Sequence, residues 1–135
     1  MDTTRILIAD DNRDFADSLA QILANEGYGV RTSYDGREAI EAAREFQPHV
    51  VVLDIRMPAI TGFEAARVFS HNPAGSRPVL IAVTGWPGES DKLRASMSGF
   101  NYYFGKPVAP ADIVELVKKA QTTDHSGISP SPVSR

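Results

Sequence analysis

Residues 50–58, Val50-Val51-Val52-Leu53-Asp54-Ile55-Arg56-Met57-Pro58, drive four aliphatic side chains straight into a carboxylate and then close on a proline. A short, unbroken apolar run bounded by turn residues has the pattern of a strand covered on both faces, as in a parallel sheet. A charge at the end of such a strand belongs either to a turn or to a site. The neighbouring segments decide which.

Working outward, short apolar runs alternate with stretches of helical period. Arg5-Ile6-Leu7-Ile8-Ala9 reads as a strand that stops at Asp10-Asp11-Asn12. Phe15, Leu19, Ile22 and Leu23 then fall on one helical face, which Gly27 terminates. Residues 28–33 form a second strand, and Asp35-Gly36-Arg37-Glu38 has the form of a capping box. Ala39, Ala43 and Phe46 give the helix behind it an inner face, and Pro48 ends it. The third strand covers 49–53, and Thr61-Gly62-Phe63-Glu64 caps a helix reaching about Phe69. A loop over 71–77, with Asn72-Pro73 and Gly75, leads to a fourth strand over 78–83. A helix over 89–98 is weakened by its serines and Gly99. Residues 102–104 form a short fifth strand. Ile113, Leu116, Val117 and Ala120 mark a last helix opened by Pro110, with Ala109 a poor N-cap before it. The βα alternation predicts an α/β fold, a parallel sheet with helices on both faces. Residues 1–121 make one domain. Residues 122–135, with two Ser-Pro steps and few aliphatics, read as a disordered tail or linker.

The bulk properties agree with one globular unit. The 135 residues are 42% hydrophobic and 23% charged, enough for one core. A net charge of −3 supplies no basic stripe for nucleic acid phosphates. The absence of cysteine removes disulfides, thiolate nucleophiles and cysteine zinc sites, and fits a reducing compartment. No segment approaches the roughly 20 apolar residues of a membrane span, and the first residues lack a secretory pattern. A cytoplasmic protein is expected. His49, His71 and His125 share no ligand spacing, so structural or solvated roles suit them.

The polar residues are informative through their placement. The first strand runs into Asp10 and Asp11, the third into Asp54, the fourth into Thr84 and the fifth into Lys106. Each alone has a plain explanation: Asp10-Asp11-Asn12 as a helix cap, Thr84 as a β-branched strand residue, Lys106 as a surface charge. In an open parallel sheet, however, these ends share one edge, where ligands bind. Three carboxylates brought together raise one another's pKa unless a cation neutralises them. Oxygen donors without histidine or thiolate suit a hard ion such as Mg²⁺. A carboxylate can attack phosphorus and become an aspartyl phosphate. Lys106 can pair with phosphoryl charge, and Thr84 can donate a hydrogen bond to it. Asp54, central among the acids, is the nucleophile candidate; Asp10 and Asp11 fall to the metal.

Ile6-Leu7-Ile8-Ala9-Asp10-Asp11-Asn12, Asp54-Ile55-Arg56-Met57-Pro58, Val83-Thr84-Gly85 and Lys106-Pro107 together resemble the response-regulator receiver domain over about residues 5–121. The resemblance implies a flavodoxin-like (βα)5 three-layer sandwich with strand order 2-1-3-4-5. It implies phosphoryl transfer to Asp54 from a phosphohistidine on a histidine kinase or histidine phosphotransfer protein, with Mg²⁺ (or Mn²⁺). Asp11, Asp54 and the backbone carbonyl of Arg56 would hold the metal, with Asp10 acting through water. Thr84, Gly85 and Lys106 would bind the phosphoryl group; Gly85 is small enough to leave it room. Thr84 and Tyr103, three residues before the lysine, would switch conformation toward a downstream protein partner. The bond before Pro107 would be cis. Thr84-Gly85-Trp86 with Gly99-Phe100 is closer to receivers of hybrid sensor kinases than to those fused to DNA-binding domains.

Arg56 and Trp86, two residues after Asp54 and Thr84, occupy positions that affect phosphoform lifetime in this family; both are bulky here and would hinder the hydrolytic water. A Mg²⁺-dependent aspartyl-phosphate phosphohydrolase is the enzyme alternative, but such enzymes generally place an acid where Arg56 stands. The other alternative is a receiver-like docking module that is never phosphorylated, which the full set of acids, threonine and lysine argues against. No G-x-G-x-x-G or Walker loop follows the first strand. The sequence leaves oligomeric state, the donor and the target open.

Overall fold

A computed structural model describes residues 3–71, 77–85 and 88–122. Ten elements alternate: β1 (Arg5–Ala9), α1 (Arg13–Asn25), β2 (Gly29–Ser33), α2 (Gly36–Phe46), β3 (Val50–Asp54), α3 (Gly62–Ser70), β4 (Val79–Thr84), α4 (Glu89–Ser98), β5 (Tyr102–Gly105) and α5 (Pro110–Thr122). All strand pairs are parallel, and the order is β2-β1-β3-β4-β5. This is the flavodoxin-like α/β fold.

Alternation along the strands divides the interior into two cores. Leu7, Val51, Leu53 and Leu80 face Ala39 of α2, Phe63 and Phe69 of α3, and Ala95 of α4. Ile6, Ile8, Val52 and Ile81 face Leu19 and Leu23 of α1, with Ile113 and Val117 of α5. Every residue of β3 and of β4 is buried, which is why 50–53 reads as a continuous apolar run. At about 1.5–3 kcal/mol for each large aliphatic buried, these two central strands hold the layers together.

The strands near the site end later than hydrophobicity alone indicates. Asp54 pairs with Val83, and Thr84 with Gly105, so each polar residue is the last rung of a ladder rather than the first residue of a turn. The backbone pairs regardless of side chain, which a reading from apolar runs misses.

Capping matches in type and differs in detail. The Thr61–Glu64 box is reciprocal: Glu64 N donates to Thr61 Oγ1 at 3.2 Å, and Thr61 N donates to Glu64 Oε1 at 2.9 Å. At α2 only the Asp35 arm forms, at 2.8 Å; Glu38 accepts instead from the Tyr34 amide at 2.6 Å. The inner face of α2 is Ala39 with Ala42, while Ala43 and Phe46 are only partly buried. The helix ends on Gln47 in the left-handed region, φ 52°, immediately before Pro48. Residues 89–98 are fully helical. Gly99 sits beyond the last turn at φ 109°, as a C-cap, so it stops α4 instead of weakening it. Leu116 is on the margin of α5, whose buried face also takes Val114.

The helix α5 extends to Thr122, one residue past the expected domain end; Asn72-Pro73, Gly75, Trp86, His125 and the rest of the expected tail lie outside the described residues. His49 Nδ1 accepts from the Arg5 amide at 2.9 Å, a structural role. His71 Nδ1 lies 2.8 Å from the Arg67 carbonyl.

Candidate functional site

The carboxyl ends of β1, β3, β4 and β5 deliver Asp10, Asp54, Thr84 and Lys106 to one edge, with Asp11 in the turn after β1. Asp10, Asp54 and Thr84 are buried and Asp11 is exposed. One carboxylate oxygen from each of Asp10, Asp11 and Asp54 can be chosen so that all lie within 4.8 Å of one another. Lys106 Nζ is 2.9 Å from Asp10 Oδ2 and lies 4.7 Å from the centroid of the Phe15 ring. The lysine is thus held between a carboxylate and an aromatic face. The Lys106–Pro107 bond is cis.

The turn that follows β1 resolves the two explanations of Asp10-Asp11-Asn12. Asn12 is the cap: its side chain accepts from Phe15 N at 3.1 Å. Asp10 Oδ1 accepts from Asn12 N at 2.9 Å, which fixes its rotamer. Its other oxygen meets Lys106 as an ion pair by distance, without the alignment of a hydrogen bond. A buried carboxylate oxygen lacking an aligned donor suits a water held by a nearby cation.

Burial pushes the Asp54 carboxyl up to about 7 from an ordinary 3.8, and the charge of Asp10 adds to the push. Lys106 and the Arg56 amide pull the other way, the latter at 3.3 Å from Asp54 Oδ1, and Asp11 adds a smaller upward push. Three acids with one lysine leave negative charge uncompensated. An oxygen-only donor set with that deficit fits a divalent hard cation.

The loop between β3 and α3 is built around this strand end. Gly62 N donates to the Ile55 carbonyl at 2.8 Å, folding the first turn of α3 against the end of β3. A Cβ on Gly62 would overlap the Asp54 carbonyl oxygen and stand 2.6 Å from Ile55 Cα. Only glycine lets the helix start this close to the phosphoacceptor candidate. Ala59 in the same loop has φ 66°. The 62 position passed in the sequence as part of a capping box; nothing in its spacing reveals the backbone it touches.

Tyr103 pairs with Ala82, two residues before Thr84 on the same face of the sheet, and is 2% exposed. It therefore lies inside the core shared with α3 and α4. Gly85 is exposed with nothing within 4 Å of a built Cβ. The Arg56 guanidinium turns to α4, Nη2 being 3.0 Å from Asp91 Oδ2. Phe15 and Asp91 are contacts across space that sequence spacing does not announce.

Residues 6–118 match the sequence profile of the response regulator receiver domain. An uncharacterised 14.6 kDa protein of Leptolyngbya boryana is 35% identical over 114 residues, covering 84% of this chain and 87% of that protein. The DNA-binding response regulator MtrA of Mycobacterium tuberculosis is 32% identical over 120 residues, 87% of this chain and 51% of MtrA. This chain therefore spans about half the length of that regulator. Among solved structures, a CheY-like response regulator receiver domain protein from Methanospirillum hungatei superposes with a TM-score of 0.82 at 29% identity, covering 90% of this chain and 95% of that one. The chain belongs to the response-regulator receiver family, a family of signalling modules, and its acidic cluster is consistent with the divalent-metal site of such domains.

Proposed function

We propose that this receiver accepts a phosphoryl group on Asp54 from a phosphohistidine of a histidine kinase or a histidine phosphotransfer protein. The observation that carries the proposal is the convergence of three carboxylates beside Lys106 at one sheet edge. Asp54 attacks phosphorus, the phosphorus–nitrogen bond of the donor breaks, and its electron pair goes to that nitrogen, so that a donor ring already protonated on its other nitrogen leaves as neutral imidazole. Asp11, Asp54 and the carbonyl of Arg56 would hold Mg²⁺ (or Mn²⁺), and Asp10 would reach it through water. The cation, when bound, supplies positive charge that keeps Asp54 ionised and neutralises the incoming phosphoryl group. Lys106 pairs with a phosphoryl oxygen, and Thr84 with the backbone at Gly85 donates to the others.

Thr84 and Tyr103 then carry the conformational signal, supported by their common face of the sheet, two rungs apart. The output surface would be α4, β5 and α5, where Leu93 and Met97 of α4 stand 64% and 77% exposed. Arg56 and Trp86 would slow loss of the phosphoryl group. Arg56 also speaks against the phosphohydrolase reading, since a guanidinium bound to Asp91 cannot act as the second acid. Among the described residues no helix is long and apolar enough to cross a membrane. The module would work in the cytoplasm through proteins rather than nucleic acid, a net charge of −3 supplying no basic stripe. Affiliation with a hybrid kinase finds no support in the relatives named above, which include a DNA-binding regulator. Residues 1–121 would form the receiver and 122–135 a tail or linker.

Incubation with a small acyl phosphate or phosphoramidate tests the reading. Mg²⁺-dependent incorporation of one phosphoryl group is expected, abolished in Asp54→Asn and by chelation. Undiminished labelling of the Asn variant would sink it.

A further inference from the structure

Arg56 connects the phosphoacceptor strand to α4. Its amide donates to Asp54 Oδ1, and its side chain pairs with Asp91, the third residue of that helix. The helix needs such a contact. Its N-cap, Gly88, makes no side-chain capping bond, and among the described side chains of α4 only Ala95 and Ser98 are buried. One turn on, Arg94 lies over the Phe63 ring of α3 at 4.2 Å. A groove of about 460 Å³, walled by Asp11, Arg56, Phe63, Asp91 and Arg94, lies between the helix and the loop that follows β3. The ion pair crosses that gap.

We propose that Asp91 is a positioning residue for the metal site. By holding the Arg56 guanidinium it fixes the Arg56 backbone, and through the same pair metal binding stiffens the first turn of α4. The inference rests on the reading of the Arg56 carbonyl as a metal ligand. Coupling of this kind is reciprocal: if Asp91 favours the metal-bound loop, metal favours the tethered helix. The Arg56 side chain is 58% exposed and that of Asp91 20%, so the pair is only partly sheltered from solvent. An effect of about two- to fivefold on Mg²⁺ affinity is the scale expected of such a pair.

Hydrogen exchange of residues 89–94 with and without Mg²⁺, beside an NMR titration of Mg²⁺, tests this in the full chain. In the wild type Mg²⁺ should slow exchange in the first turn of α4. Asp91→Asn should abolish that slowing and weaken Mg²⁺ about two- to fivefold, and Asp91→Glu should restore both. Arg56→Gln, which keeps the carbonyl, should reproduce the Asn pattern, and the double variant should add nothing further. A first turn that responds to Mg²⁺ equally in Asp91→Asn, or not at all in a wild type that binds Mg²⁺, overturns the tether and leaves the metal site standing. A wild type that binds no Mg²⁺ overturns both.

Discussion

Asp54 is held in two conflicting conditions: the proposed attack on phosphorus needs it ionised, and its surroundings favour the proton. Its folded pKa of about 7 lies above the unfolded 3.8. Below pH 4 both states are protonated, and the group contributes nothing to the pH dependence of stability. As pH rises from 4 to 7 the unfolded chain gives up a proton that the folded chain keeps, so stability falls, and the loss is complete above 7. At about 1.4 kcal/mol for each pH unit between the two values, the loss is roughly 4 kcal/mol. In metal-free buffer Asp54→Asn should therefore be more stable than wild type at pH 8 by up to about 4 kcal/mol, and equal to it near pH 3.5. Urea unfolding at the two pH values measures this; parallel pH profiles would contradict it. Lys106 works in the opposite sense. Its removal leaves Asp10, 1% exposed, without a counter-charge. Lys106→Ala should cost about 3 kcal/mol without metal, the lower end for a broken buried pair, and Mg²⁺ should recover part of it.

At the scale of elements, two glycines of the site separate folding from chemistry. Gly62 abuts backbone atoms of Asp54 and Ile55 that cannot swing aside. Gly62→Ala should lower stability by about 3 kcal/mol or more, as overpacking against fixed atoms does. A Cβ on Gly85 meets nothing within 4 Å, so Gly85→Ala should shift stability by less than about 0.5 kcal/mol while impeding phosphorylation. Chemical unfolding beside a labelling assay distinguishes them; equal destabilisation of the two would refute the contrast. The sequence shows the first of these glycines only as a helix start. The apolar run makes β1 legible to the residue, and the bounds of α4 are legible too although its serines blur its period, because these patterns are local. The reciprocal Thr61–Glu64 box is legible for the same reason. What pattern cannot carry is contact across space: Phe15 under Lys106, Asp91 on Arg56 and Gly62 against Asp54 join segments whose spacing follows no rule. The ladder positions of Asp54 and Thr84 escape it too, since pairing is set by the neighbouring strand.

For the whole molecule, the site is a property of the assembled sheet. Its side chains come from the ends of β1, β3, β4 and β5, strands whose order in space differs from their order in the chain. Unfolding separates Asp10 from Asp54 by 43 intervening residues, and no local segment retains the cluster. A ligand of the assembled site must therefore bind the native state alone and stabilise the entire fold by mass action. With Mg²⁺ and beryllofluoride at a hundred times their dissociation constant, unfolding should cost about 2.7 kcal/mol more. The urea midpoint should rise while the slope stays unchanged, because the surface exposed on unfolding is the same. Asp54→Asn should lose the beryllofluoride increment, lacking the oxygen to which that group attaches. A midpoint rise of equal size in the Asn variant would mean that the ions bind elsewhere, and would detach the stability of the fold from the sheet edge at which Asp54 stands.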